Sequence, residues 1–450
     1  MRQNKDYLIT EKPSRALLIF SIPMIIGNLF QQAYTIVDSA IVGRYVGETA
    51  LAAVGASYAL TSIFICIAIG GGIGASVIIS HHFGAHNYGR MKTCIRTALL
   101  SFFFISLILG GVGLIFSQQI MEVLNTPADA IDIAVTYLNI YFLGLPFLFM
   151  YNILSSMFNA LGESRIPLYL LIFSSVLNIF LDLYMVAVLN LGVAGAAYAT
   201  FISQGISAVL SLIIFVVTLQ QLQGKAEGWF SKTEFSDMSR IALPSILQQS
   251  TVSIGMMLVQ SVVNSFGTQI LAGFSAAMRI ESLCVVPMSA IGNAMSSYTA
   301  QNIGAEKEER ISQGYRAGNF MIIVIAVILC FFLEIAHKPL IALFLDNEPS
   351  AQTIVTGESY LKFIGFFFCM IGFKMAVDGI LRGAGAVKVF TIANMVNLTL
   401  RVTIAKFGAP IWGVSIVWYA VPLGWLANFL ISYGYYRTEK WKEAASKTVD

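Results

Sequence analysis

Residues 47–56 read GETALAAVGA, and 220 positions later residues 267–276 read GTQILAGFSA. At that shift Gly47 falls on Gly267, Leu51-Ala52 on Leu271-Ala272 and Ala56 on Ala276. Further along, Gly84-Ala85 falls on Gly304-Ala305 and Arg90 on Arg310. Pro23 meets Pro244 at a shift of 221, and the turn Ala160-Leu161-Gly162 meets Gly383-Ala384-Gly385 at 223. Slow drift of this kind is what small loop changes leave behind after duplication, so the chain reads as two copies of one unit.

Composition says what kind of unit it is. Of 450 residues, 57% are hydrophobic and 11% charged, whereas soluble domains carry roughly 25% charged residues. A bilayer core takes about 20 apolar residues per helix. Polar or Gly/Pro-rich breaks divide the chain into twelve such stretches, near 15–43, 51–80, 92–117, 132–160, 165–188, 193–219, 240–266, 271–296, 310–335, 354–380, 387–407 and 411–436. Assigning the Lys and Arg residues between them to alternate sides gives 20 on one side and three, Arg44, Lys338 and Lys406, on the other. A missed or extra span would scramble that asymmetry, and the positive-inside rule puts both termini in the cytoplasm of a cell-membrane protein. The polar first 15 residues and the recurrence of apolar runs along the whole chain argue against a cleaved signal.

Six spans per copy is an even number, so the copies run in the same direction, related by an axis along the membrane normal. The expected fold is an all-α integral membrane protein with twelve transmembrane helices in two parallel, pseudo-symmetric six-helix lobes. The first lobe is read as 1–219 and the second as 240–450. The polar stretch 220–239, QQLQGKAEGWFSKTEFSDMS, is the linker, with Trp229-Phe230 at headgroup level.

Several activities are argued against. The net charge of +3 implies no nucleic-acid partner. The five cysteines, Cys66, Cys94, Cys284, Cys330 and Cys369, are scattered through apolar segments without CxxC spacing, and are read as packing or lipid-facing. Gly70-Gly71-Gly72-Ile73-Gly74 has no strand before it or Lys-Ser/Thr after it, so it reads as a close-packing surface rather than a phosphate loop. His81, His82 and His86 read as a solvated turn in preference to a metal site. With no HExxH, nucleophile elbow or nucleotide loop, neither an enzyme, a cofactor nor a self-contained ATP-driven pump is expected.

Ionisable residues inside spans are functional candidates because of what they cost in hydrocarbon. Asp38 in the first span and Asp182 in the fifth lie at similar depth. Asn178 precedes Asp182 by one helical turn on the same face, and Thr200 lies at comparable height in the sixth span. Two carboxylates, an amide and a hydroxyl suit a hard cation or a proton. Two carboxylates close together in low dielectric also resist double ionisation, which a proton-coupled carrier requires. The competing reading is that each Asp hydrogen-bonds locally and only fixes helix packing.

The second copy departs from this pattern. Asn178 corresponds to Arg401, Asp182 to Ala405, and Asp38 to Val259 or Leu258, so cation coupling is assigned to the first copy alone. Glu281 is read either as the partner of Arg401 or Arg279 or as a group that meets a cationic substrate. Lys374 and Asp378, spaced i, i+4, read as a structural pair. Gln248, Gln249 and Met256 are candidates to line an adaptable cleft.

Taken in order, Pro23, then Asp38 in IVDSAIVGRYVG (36–47), NALGESRIP (159–167), NIFLD (178–182), GVAGAAYAT (192–200), QNIGA (301–305) and LRGAG (381–385) form a pattern. Over nearly its full length the chain resembles the multidrug and toxin extrusion (MATE) family. The resemblance implies a V-shaped pair of lobes that alternates access and expels organic cations or other xenobiotics in exchange for H+ or Na+. It resembles the DinF-like branch, which implies cation binding by Asp38, Asn178, Asp182 and Thr200, with the first helix bending at Pro23. The NorM-like branch has a further acidic pair. This chain has Ile371 where one of those acids would stand and no acid within the seventh span, which puts a second-lobe cation site in doubt. The alternative within the same superfamily is a flippase for lipid-linked substrates, for which only Arg279, Lys374 and Arg401 offer positive charge. A channel or receptor leaves the duplicated halves and the acidic site unexplained. A monomer in the bilayer is expected.

Overall fold

Gly47 and Gly267, the glycines that open the two repeated stretches, have φ of 103° and 100° with ψ of 179° and 163°. That backbone region is essentially closed to residues bearing a Cβ. Each glycine caps the N-terminus of a 37-residue helix. At the far end of those helices His86 and Glu306, also equivalent at a shift of 220, adopt φ of 54° and 57°. The duplication read from sequence is therefore a duplication of local backbone geometry.

The computed structural model describes residues 6–449 apart from 125, 127–129 and 346–349. Arg2 and Lys5 of the basic tally lie outside the described residues. After a one-turn helix at Tyr7–Thr10, the first half contains α1 (Pro13–Tyr45), α2 (Glu48–Gly84), α3 (Tyr88–Val123), α4 (Ile131–Ala160), α5 (Arg165–Val188) and α6 (Gly192–Gln220). The second half contains α7 (Lys232–Asn264), α8 (Thr268–Gly304), α9 (Glu309–Ala342), α10 (Ala351–Gly365 continuing as Phe368–Gly383), α11 (Val387–Trp412) and α12 (Ser415–Arg437). Among the described residues, eleven helices are each long and apolar enough to cross a membrane, and α10, bent by 53° between its two pieces, makes the twelfth span. The expected continuous span at 354–380 is thus broken at Gly365, where the lack of a side chain weakens a helix. α7 begins eight residues before the expected 240, so the last eight of the twenty residues of the expected linker are helical.

Large apolar side chains that face outward, such as Ile115, Phe331 and Ile335, are exposed as a lipid-facing surface should be. The glycine run in α2 packs tightly. A Cβ on Gly70 would lie 2.5 Å from the backbone nitrogen of Ile246, and one on Gly74 would lie 2.7 Å from the carbonyl oxygen of Met238. The early part of α7 is therefore pressed against α2 backbone to backbone.

That packing decides how the chain divides. One compact unit is Ile26–Ile246, here the first lobe. The other is Met1–Ile25 with Leu247–Asp450, here the second lobe. The boundaries differ from the 219/240 expected from composition, because α1 and α7 each contribute to both units. Ile25 lies two residues beyond Pro23, and Ile246 two residues beyond Pro244.

Each lobe also grips the segment that leads into its shared helix. In the second lobe, Asn302 Nδ2 donates to the Leu8 carbonyl at 3.1 Å and Lys307 Nζ to that of Ile9 at 3.1 Å. Arg310 donates to the carbonyls of Leu8 and Glu11. In the first lobe, Lys92 Nζ donates to the carbonyls of Leu222 and Gly224, both at 2.8 Å. Thr93 and Thr97 Oγ1 accept from the backbone of Glu227 and Ser231 at 2.9 and 3.0 Å. Trp229 is exposed, and the Arg96 guanidinium lies over its ring.

The histidine stretch belongs to this grip, which corrects its reading as a solvated turn. His81 and His82 are buried, and His82 Nε2 lies 3.0 Å from Glu234 Oε2, whose other oxygen takes Arg90 Nε at 3.3 Å. Of the three, His86 alone sits in an open turn, against Tyr88 Oη at 2.8 Å.

Candidate functional site

In the first lobe four helices converge on two carboxylates. α1 brings Asp38 and, one turn earlier, Tyr34. α5 brings Asn178 and Asp182, also one turn apart, while α4 supplies Tyr137 and α6 supplies Thr200. Asp38 and Asp182 interact directly through their side chains, and both act electrostatically on Tyr34 and Tyr137.

Asp182 is fully buried, and it stands at the junction where α5 changes from α-helix (Arg165–Asp182) to a π-helical segment, Leu183–Val188. Single π turns are frequent at functional sites because they widen the helix and leave backbone carbonyls less regularly engaged. α11, the second-half counterpart, continues as α-helix from Val387 to Trp412.

Asn178 organises the pair. Its amide is satisfied at both ends when Oδ1 faces Thr200, accepting from the backbone nitrogen at 3.1 Å and from Oγ1 at 3.3 Å. Nδ2 then donates to Asp182 Oδ2 at 2.8 Å and to Tyr34 Oη at 3.0 Å. This orientation follows from chemistry, since a backbone N–H can only donate and an ionised carboxylate can only accept. Two further oxygens of the pair, Asp38 Oδ1 and Asp182 Oδ1, are buried with no hydrogen-bond donor among the described residues. Two acceptor oxygens without donors, and no Lys or Arg in contact among the described residues, are what a proton or a bare cation would complete. Beside Thr200 lies a narrow cavity of about 20 Å³, lined by polar Tyr137, Tyr141 and Gln204 among apolar neighbours. That is room for about one water molecule.

All four sequence candidates for cation coupling, Asp38, Asn178, Asp182 and Thr200, thus come together. Tyr34 and Tyr137 were missed. Tyr34 carried a signal in its i, i+4 spacing from Asp38. Tyr137 carried none, because only the fold brings α4 to α1.

The other candidates are elsewhere. Pro23 lies within α1, which continues through it as helix. In the second lobe Glu281 is buried and accepts a 2.6 Å hydrogen bond from Tyr360 Oη. Arg401 acts on Glu281 electrostatically, and among the described residues its Nε has no acceptor and it makes no ion-pair contact. Gln248, Gln249 and Met256 are half-buried on α7, and no hydrogen bond or ion pair among the described residues joins them to Glu281. Lys374 and Asp378 form the expected pair, at 3.2 Å.

Comparison with known proteins agrees with the repeat. The MatE family profile matches the chain twice, at residues 23–184 and 244–406, each match starting at one of the two equivalent prolines. The probable multidrug resistance protein YpnP of Bacillus subtilis is 32% identical over 95% of this chain and 96% of its own length. An FAD transporter of Shewanella oneidensis is 24% identical over 94% of each chain. Among solved structures, a MATE crystallised in complex with MaL6 superposes with a TM-score of 0.91 at 23% identity, covering 99% of this chain and all of the other, which establishes the shared fold.

Proposed function

The chain belongs to the MatE family, whose members are membrane transporters and not enzymes, and on that premise we propose that it is a secondary-active multidrug efflux antiporter. In this reading it exports organic cations and related xenobiotics by alternating access, driven by inward H+ or Na+. The observation that carries the reading is the Asp38–Asp182 pair, two intramembrane carboxylates in contact, each with a buried oxygen lacking a donor.

Physically, the coupling ion completes that pair. A cation or proton supplies the charge that the Asn178 amide alone cannot, and drawing Asp38 toward Asp182 pulls on α1. Pro23 removes one hydrogen bond from the helix ladder, so α1 bends there at low cost. Because α1 is shared between the two compact units, a change at Asp38 reaches both. Thermodynamic linkage then requires that drug weaken ion binding as much as ion weakens drug binding. Gln248, Gln249 and Met256 are the candidates for drug contact. Glu281 is a weaker one, being already engaged by Tyr360. The protein works as a monomer in the cytoplasmic membrane with both termini inside.

The flippase reading finds less support, since two of the three basic residues it needs already serve carboxylates: Lys374 pairs with Asp378, and Arg401 acts on Glu281. Ethidium efflux from proteoliposomes under an imposed proton or sodium gradient tests the proposal, with Asp38→Asn and Asp182→Asn alongside. One gradient should drive wild-type efflux, and each substitution should abolish it. Absence of efflux under both gradients from folded, inserted protein would overturn it, and FAD and lipid-linked substrates would be tried next.

A further inference from the structure

A second group of buried polar side chains lies in the second lobe, where α10, α11 and α12 meet. Lys374 Nζ is 3.2 Å from Asp378 Oδ2 and donates to Asn394 Oδ1 at 3.0 Å. Ser432 Oγ donates to Asp378 Oδ1 at 2.6 Å and lies 3.4 Å from Asn428 Oδ1. Asn394 Nδ2 reaches Asp378 Oδ2 at 3.5 Å. All five side chains are buried, Asn428 and Ser432 completely, and Asn428 Nδ2 has no acceptor among the described residues. Arg382, one turn beyond Asp378, is turned away toward α8, where it bonds Asn293 Oδ1 at 2.7 Å and Ser296 Oγ at 3.3 Å.

Without the lysine this is a set of hard oxygen ligands: a carboxylate, two amide oxygens and a hydroxyl from three helices. Such a set suits a metal cation. An ammonium carries the same single charge as Na+ and here sits against two of those oxygens. Burying an ion pair is costly and burying a lone carboxylate costlier, so the charge on Asp378 demands a cation from somewhere.

We propose that Lys374 is a tethered cation, its ammonium filling an oxygen-lined site of the second lobe that would otherwise bind free Na+. The lysine thereby makes the number of coupling ions depend on the first lobe alone. That last consequence rests on the efflux reading above, but the occupancy of the site does not.

The test uses the full-length chain in detergent with Asp38→Asn and Asp182→Asn already in place, so that the first-lobe carboxylates contribute nothing. 22Na+ binding and the Na+ dependence of the unfolding midpoint, against choline, are the readouts. With Lys374 present, no saturable Na+ binding is expected. Adding Lys374→Gln should create one saturable site per chain and a midpoint that rises with Na+, and adding Asp378→Asn as well should remove both. A folded Lys374→Gln chain with no Na+ response overturns the proposal. So does Na+ binding that depends on Asp378 while Lys374 is intact. If the Lys374→Gln chain is recovered in neither Na+ nor choline while the Lys374→Gln/Asp378→Asn chain is recovered equally in both, a free cation cannot replace the ammonium and the proposal falls. Failure of the efflux reading would show instead in otherwise wild-type protein, as transport indifferent to either gradient.

Discussion

The two lobes share a backbone plan but differ at one buried acidic site in each, the Asp38–Asp182 pair of the first and Asp378 of the second. In the first, Asp38 and Asp182 interact with no Lys or Arg in contact among the described residues, and an oxygen of each lacks a donor there. In the second, Asp378 is held by Lys374, Asn394 and Ser432, and both its oxygens have partners. One arrangement is incomplete until something arrives, whereas the other is complete as folded. Duplication supplied two copies of a scaffold, and the difference between a site and a strut comes down to where the positive charge is kept.

The widest test of that contrast removes one carboxylate from each lobe. Asp182→Asn should eliminate ion dependence of drug binding, a coupling of about 1–3 kcal/mol or about 5- to 150-fold in affinity for linked sites of this kind. Asp378→Asn should leave ion dependence intact and lower stability instead, by about 3–5 kcal/mol, the usual cost of leaving one member of a buried pair alone. Drug titrations at two ion concentrations, with thermal unfolding of the same preparations, separate the outcomes. If Asp378→Asn abolished coupling while remaining folded, the contrast would be wrong.

A narrower test compares equivalent positions on α5 and α11. Asn178→Ala strips Asp182 Oδ2 and Tyr34 Oη of the amide that donates to them, at about 1–3 kcal/mol for buried polar groups left unsatisfied. Ion affinity and unfolding midpoint should fall together. Arg401→Met removes a guanidinium whose Nε lacks an acceptor among the described residues but whose charge acts on the buried Glu281, so the midpoint should fall while ion-driven efflux should persist.

How much of this was legible in the sequence follows from the range of each interaction. Span positions were readable because hydrocarbon dictates about 20 apolar residues locally, and the Asn178–Asp182 relation because one helical turn fixes it. Distant partners were not. His82 looked like a solvated turn because its partner, Glu234, is 152 residues away. The grip of Asn302, Lys307 and Arg310 on the carbonyls of residues 8–11 leaves no pattern at all, since a backbone carbonyl looks the same in every residue. Polar composition placed a domain boundary at 220–239. The compact units instead part at Ile246, because glycines in α2 let α7 approach closely enough to join the first lobe.

The smallest expected difference concerns what the lobes still share. Gly47 and Gly267 lie at equivalent positions, with φ of 103° and 100°, and a Cβ added at either would meet no atom within 4 Å. Replacing either by alanine therefore introduces backbone strain without a steric clash. Residues forced into this region cost about 1–3 kcal/mol. Because the geometry is the same in both copies, Gly47→Ala and Gly267→Ala should lower the unfolding midpoint by amounts that agree to within about a few tenths of a kcal/mol, the size of ordinary denatured-state effects. A large inequality would mean that the matching φ values hide different local roles. Equal losses, with ion-driven efflux retained in both, would place the functional asymmetry in side chains such as Asp182 and Lys374 rather than in the duplicated backbone.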